Sequence, residues 1–287
     1  MDSLRINRVY DLISEHKMPA GLKSIGSKWV YKIKSENTSK ARVVGQGWWQ
    51  EAGRDCGNID SPACRIQNIR MASVVAAALD LDVIQLDVQT ASLNAPLEED
   101  VYVQLPPGFE QRDPVTDFPL VMKLRRSLYV LRQSPQNWWV IMDKYLGQIV
   151  LVALKSDPCV NIYISKHLDE LMALETEKQE NVSAILILYA DDLLIAGKDK
   201  NILVMLKRKL MAKFKMTDLG NVSLVLGMQV TQDRTLGHLI INQSPYTKGI
   251  LQRFGMDTCN PATTTGTVPE ISIKQPVKLL NEEDTKR

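Results

Sequence analysis

Three carboxylates in this chain have the types and setting for metal-dependent phosphoryl chemistry: Asp87, Asp191 and Asp192. Asp191 and Asp192 end the tetrapeptide Tyr189-Ala190-Asp191-Asp192. Apolar runs flank it, Ala184 to Leu188 before and Leu193 to Gly197 after. Two apolar runs around a short polar break read as strand, turn, strand, so both acids stand at a hairpin tip. Asp is common in turns because it bonds the local backbone, and taken alone the pair is only a turn. A third acid changes that reading. Asp87 lies near the end of Val83-Ile84-Gln85-Leu86-Asp87-Val88, a short β-rich run. A lone charge in such a run is costly to bury without a partner. Unit charges about 4 Å apart repel by roughly 4 kcal/mol at an effective dielectric near 20. A divalent cation bound by all three turns that repulsion into coordination and supports phosphoryl transfer.

The other elements must position these acids. The segment 2–15 reads as an amphipathic helix stopped before Pro19. From Lys28 to Lys34, cationic and apolar residues alternate, giving a half-buried strand with one basic face. Lys40 to Val44 returns across the turn at 35–39. The resulting basic hairpin is either a solvated edge or a finger that grips phosphates. Trp48 and Trp49, read as strand neighbours, would face opposite sides, one in the core and one in solvent. Ile66 to Leu81 has helical spacing. Thr90 to Asn94 reads as a turn, and Val101 to Leu105 and Val121 to Leu124 as strands. Ser134 fits an N-cap and Pro135 a first helical position, for a helix through Tyr145. Val160 to Ile164 and Ile185 to Leu188 read as strands. Ser165 to Val182 reads as a charged excursion, and Asn201 to Phe214 as an amphipathic helix. Leu224 to Val230 and His238 to Asn242 form a further hairpin. Beyond about Asn260 the pattern dissolves. Trp138 and Tyr189 read first as packed aromatics.

With 287 residues, 45% of them apolar, the chain can bury a real core. A net charge of +2 says little about nucleic acid, although Lys23 to Arg42 and Lys123 to Arg132 are locally basic. The four cysteines have no metal-binding spacing and read as reduced thiols. No signal peptide or bilayer-length apolar run is seen, so the expectation is an intracellular protein, cytoplasmic, particle-associated or nuclear, neither secreted nor in a membrane.

Collinear motifs give these residues a resemblance. Gln85-Leu86-Asp87-Val88-Gln89-Thr90-Ala91 with Leu93-Asn94 and Val101-Tyr102-Val103 resembles the first catalytic motif of Ty1/copia-type reverse transcriptases. Ser127-Leu128-Tyr129, Leu131 to Pro135 and Trp138 are similar to their next segment, and Tyr189 to Asp192 to their second acidic motif. Phe214 to Gly220, Leu226-Gly227-Met228, Lys28-Trp29-Val30 and Lys40 to Val44 match further segments. The resemblance implies an α/β right-hand polymerase of the fingers–palm type, with a mixed, mainly antiparallel palm sheet and a truncated or absent thumb. It implies a domain at 1–262, with fingers about 1–80 and 95–125 and palm about 81–94 and 126–245, then a linker or truncated continuation at 263–287. It implies two Mg²⁺ ions, replaceable by Mn²⁺, held by Asp87, Asp191, Asp192 and the Val88 carbonyl. Lys40, Arg42, Ser92, Arg132 and Gln133 would attend the nucleotide, and Leu226, Gly227 and Met228 the primer end. The implied partners are an RNA or DNA template with primer, and deoxynucleoside triphosphates.

The chain departs from the family pattern at three places. Ser92 stands where a Phe usually lies under the sugar, Val130 replaces a Gly, and Ala95 another Gly. The hairpin turn at 35–39 is also short, and the sequence ends before a connection segment or RNase H. The alternative reading is a decayed transposon remnant retaining at most nucleic-acid binding. A metal-dependent nuclease ranks below both, since His16, His167 and His238 all lie far from the acids in sequence.

Overall fold

The computed structural model describes residues 1–35, 38–164 and 182–260. Of the turn expected at 35–39, residues 35, 38 and 39 belong instead to strands, and Val182, expected to end the excursion from Ser165, opens a strand; residues 36–37, 165–181 and the linker at 263–287 lie outside the described residues. In chain order the elements are α1 Asp2–Ile6, β1 Tyr10–Ser14, β2 Ser27–Ser35, β3 Thr38–Gly45, α2 Ile66–Ala78, β4 Asp82–Val88, α3 Ala91–Asn94, β5 Tyr102–Gln104 and β6 Leu120–Leu124. Then come α4 Ser134–Gln148, β7 Leu151–Leu154, β8 Asp157–Ile164, β9 Val182–Tyr189, β10 Asp192–Gly197, α5 Lys200–Lys213, β11 Met216–Asn221, β12 Leu224–Val225, β13 Met228–Asp233, β14 His238–Asn242 and α6 Ser244–Arg253. Residues 1–242 form one compact unit, and α6 belongs to a second. Among the described residues no helix is long and apolar enough to cross a membrane.

The class is α/β with antiparallel sheets. The central sheet runs β11-β4-β10-β9-β8-β7, and each of its ladders is antiparallel. Parallel pairing, expected as a minor component, is confined among the described residues to isolated bridges such as Ile25 with Val103. The nearly unbroken apolar runs of β9 and β10 follow from cover on both faces. Leu86, Leu186, Leu193 and Ile195 pack on one side against Met142 and Leu146 of α4 and Leu206 and Leu210 of α5. Ile187 and Leu194 pack on the other side with Ile69 of α2 and Val225 and Val230 of the small β12-β13-β14 sheet. A second core joins the β1-β6-β5 sheet to Leu93, Leu128 and Leu131, with Val43 from the β2–β3 hairpin.

Several local expectations change. The helix read at 2–15 stops at Ile6, because residues 10–14 pair instead with β6. Pairing to a formed strand outweighs a weak helical preference. Thr90 to Asn94 holds the short helix α3, entered through Thr90 in a left-handed conformation (φ +57°). Ser134 does not cap α4. It is the first helical residue, and its hydroxyl donates to the Leu128 carbonyl at 2.6 Å, while Pro135 does lie in the first turn. Trp48 and Trp49 belong to a 3₁₀ turn, Gly47–Trp49, and both are exposed, so the one-in, one-out expectation fails.

Candidate active site

The acid turn is a two-residue hairpin in which Asp192 pairs back to Tyr189. Its first central residue, Ala190, takes φ +49°, a conformation such turns ordinarily assign to Gly. Two ties hold it there. The Trp138 indole N–H, from α4, donates to the Ala190 carbonyl at 2.9 Å, and the Val88 N–H donates to the Asp191 carbonyl at 2.8 Å. Trp138 is buried, with its ring edge-to-face on Phe214 at 5.2 Å.

Register brings the acids together. Asp192 of β10 lies directly opposite Asp87 of β4, so the two side chains share a face. On its other edge β4 pairs with β11, Thr217 opposite Asp87. The Gln85 amide, two residues before Asp87, donates to the Asp192 carboxylate at 3.2 Å. Asp191 follows Ala190 in the turn and feels the Asp87 charge. Burial, then that charge, pushes the Asp191 carboxyl above its ordinary range, and Arg42 and Lys40 pull it back. Burial also raises Asp192, against the Gln85 hydrogen bond.

Among the described residues, no group of three or more His, Cys, Asp or Glu side chains is arranged as a finished ion cage. The donor chemistry nonetheless suits a hard divalent cation. Three carboxylates supply oxygen, and the mutual charge that raises Asp191 is what a cation would neutralise. Val88 is buried with its N–H already used, so it can offer a cation only its backbone carbonyl.

The cations come from the β2–β3 hairpin. Val30 opposes Arg42 and Lys32 opposes Lys40, so Lys28, Lys32, Lys40 and Arg42 share one face. The Arg42 guanidinium lies over the Tyr129 ring at 5.2 Å, and its buried Nε has no hydrogen-bond partner. Ser92 of α3 lines a cavity of about 350 Å³ with Ser61, Trp138, Tyr189, Ala190 and Asp191. Leu226 (φ +51°) and Gly227 (φ +77°) form the turn between β12 and β13, and Met228 is buried beneath it. Leu226 packs on the same apolar cluster as Tyr189.

Two expected nucleotide contacts part company. Arg132 is exposed, and its guanidinium reaches the Trp48 carbonyl at 3.5 Å. Gln133 is fully buried: it accepts from the Gln50 amide and donates to the Asp55 carbonyl, both at 3.1 Å. Its amide is committed to the fold rather than open to a nucleotide. Val130, in place of a Gly, takes φ +71°, and Ala95 takes an ordinary φ of −86° and is buried. Sequence reading missed Gln85, although strand alternation puts it on the face of Asp87. It also missed Tyr129 as the seat of Arg42 and the bond from Trp138 to Ala190, for which the sequence carries no signal.

An antiparallel sheet thus presents paired acids at a hairpin tip, within electrostatic reach of Arg42 and Lys40 from the cationic hairpin. The family model for reverse transcriptase (RNA-dependent DNA polymerase) matches residues 7–268. The chain belongs to that family, and it is a copia-type domain of the kind carried in retrotransposon Pol polyproteins. It is 37% identical over 269 residues to the retrovirus-related Pol polyprotein from transposon TNT 1-94 of Nicotiana tabacum, covering 92% of this chain and 19% of that protein. The Pol polyproteins from transposons RE1 and RE2 of Arabidopsis thaliana are 31% and 30% identical over 281 and 280 residues, covering 96% and 95% of this chain and 18% of each relative. The chain therefore spans about a fifth of these relatives.

Proposed function

We propose that this chain catalyses template-directed addition of deoxynucleotides to a primer 3′-hydroxyl, copying RNA or DNA. In this reading the central sheet is the palm, about residues 81–94 and 126–245, and the β2–β3 hairpin belongs to fingers made from about 1–80 and 95–125. The observation that carries it is the register that sets Asp87 opposite Asp192, with Asp191 in the same turn.

Asp87 and Asp191, with Asp192 and the Val88 carbonyl in support, would hold two Mg²⁺ ions. When bound, these supply an acidified 3′-hydroxyl and neutralised triphosphate charge. The protein's own groups do the rest. Arg42, seated on Tyr129 with an unsatisfied Nε, offers a planar fork to phosphate oxygens, and Lys40 adds a point charge. Trp138 and Val88 fix the height of the acid turn. Ser92 stands under the sugar, and Leu226 to Met228 support the primer end.

Primer extension on a homopolymer RNA template tests this. The wild-type chain should extend with Mg²⁺, and Asp191→Asn should lose roughly a hundredfold to a thousandfold, in line with removal of a principal electrostatic group. Extension that survives the substitution would refute the assigned roles.

A further inference from the structure

Two exposed tryptophans lie next to the cationic face and have no part in the chemistry above. Trp48 is 50% and Trp49 65% exposed. Tryptophan is highly buried on average, so adjacent exposed indoles call for a reason. Their turn is also held rigidly. Gly47 sits so close to the backbone that a Cβ there would collide with the Val130 carbonyl oxygen. Buried Gln50, the next residue after Trp49, accepts from the Arg132 backbone N–H at 2.9 Å and donates to Gln133 and to the Asp55 carbonyl. The two rings are thus presented to solvent from a fixed base.

The charge around them is positive. The Lys28 ammonium lies 4.9 Å from the centre of the Trp48 ring, and the Arg132 guanidinium reaches the Trp48 carbonyl. Lys28 shares its face with Lys32, Lys40 and Arg42, two of which act on the Asp191 charge. The nearest acid in sequence, Glu51, is paired with Arg54 at 2.8 Å. A basic strip therefore connects the acid site to the tryptophan pair. Cations that follow a phosphate backbone, with aromatic faces for bases, are what single-stranded nucleic acid needs.

We infer that Trp48 and Trp49, flanked by Lys28 and Arg132, form a stacking platform for the unpaired template strand. Granted that the chain copies a template, the platform holds the bases not yet copied and keeps the incoming strand extended. Double-stranded nucleic acid has no free base faces and gains little there.

The test is equilibrium binding, read by fluorescence anisotropy, of two DNA-primed RNA templates: one with a 5′ single-stranded extension and one blunt. The wild-type chain should prefer the extended template. Trp48→Ala with Trp49→Ala should weaken binding of that template roughly tenfold or more, as stacking losses imply, and leave the blunt duplex within about twofold. Trp48→Phe with Trp49→Phe should keep most of the preference, because a ring remains. Equal weakening on both templates, no weakening, or no preference in the wild type would each overturn the platform. Binding is read without turnover. A wild-type chain that shows the preference but adds no nucleotide would therefore sink the polymerase reading and leave the platform standing.

Discussion

Trp138→Phe removes the hydrogen bond that holds the acid turn. The substitution keeps an aromatic ring near Phe214 and deletes the N–H that donates to Ala190 at 2.9 Å. Ala190 is exposed, so water can partly replace the donor, and the lost bond costs about 1 kcal/mol. The smaller ring leaves a partial void in a buried site, roughly another 1 kcal/mol. Together, about 2 kcal/mol corresponds to a fall of ~4–8 °C in melting temperature for a domain of this size. The functional cost is larger in proportion. Asp191 directly follows the released carbonyl, and misplacing a reacting group by about 1 Å can cost on the order of a hundredfold. Steady-state primer extension should show kcat down tenfold to a hundredfold, with the KM for nucleotide within about threefold, since Arg42 and Lys40 are untouched. Thermal unfolding gives the parallel stability reading. A variant that melts lower but keeps wild-type kcat would show that the indole only packs, and the claim that it sets the height of Asp191 would fail.

Other substitutions separate the remaining contributions. Both Asp191 and Asp192 bind protons more readily in the folded chain than at the ordinary value of 3.8. In metal-free buffer their charge therefore penalises folding by an amount that grows from pH 3.8 up to their raised folded values, is constant above those, and is absent below 3.8. Asp191→Asn should melt above wild type at neutral pH, with a gap that narrows toward pH 3.8; a pH-independent gap would contradict this electrostatic origin. Val130→Gly relieves a left-handed β-branched residue, worth roughly 1–2 kcal/mol, against a glycine entropy cost of about 0.5–1 kcal/mol. Its melting temperature should hold or rise slightly, whereas Val140→Gly, on an exposed position inside α4, should lower it by several degrees; equal losses would remove the strain argument. Ser92→Phe should fill part of the cavity beside Asp191 and lower ribonucleotide incorporation relative to deoxynucleotide, roughly tenfold or more as in steric selection by a pocket. Unchanged discrimination would place the sugar elsewhere.

What was legible in the sequence followed from periodicity and punctuation. Apolar runs around Asp191-Asp192 marked β9 and β10, and the β-rich run around Asp87 marked β4. The lysine alternation marked the cationic face of β2. Strand β11 was not legible, because it exposes most of its residues and exists through its pairing with β4. Residues 10–14 were misread for a similar reason, since their strand state depends on β6. At the site, residue types revealed the acids and cations, but distant pairings did not show. The bond from Trp138 spans 52 positions, and that from Gln133 to Asp55 spans 78. Such contacts depend on where α4 packs, which no local pattern encodes. The two missing glycines part ways: Val130 takes the left-handed conformation that glycine favours, whereas Ala95 takes an ordinary φ, so the substitution pattern alone did not tell strain from accommodation.

In the proposed polymerase site, Asp87 and Asp191 would share divalent cations beside the basic hairpin. Anomalous scattering from crystals grown with Mn²⁺ and a primed template tests it most directly. Density is expected at ~2.1 Å from both carboxylates, the reach of a small octahedral cation, with Asp192 alongside. Ions bound elsewhere, or an Asp87 side chain turned to the α4 and α5 face of the sheet, would contradict it.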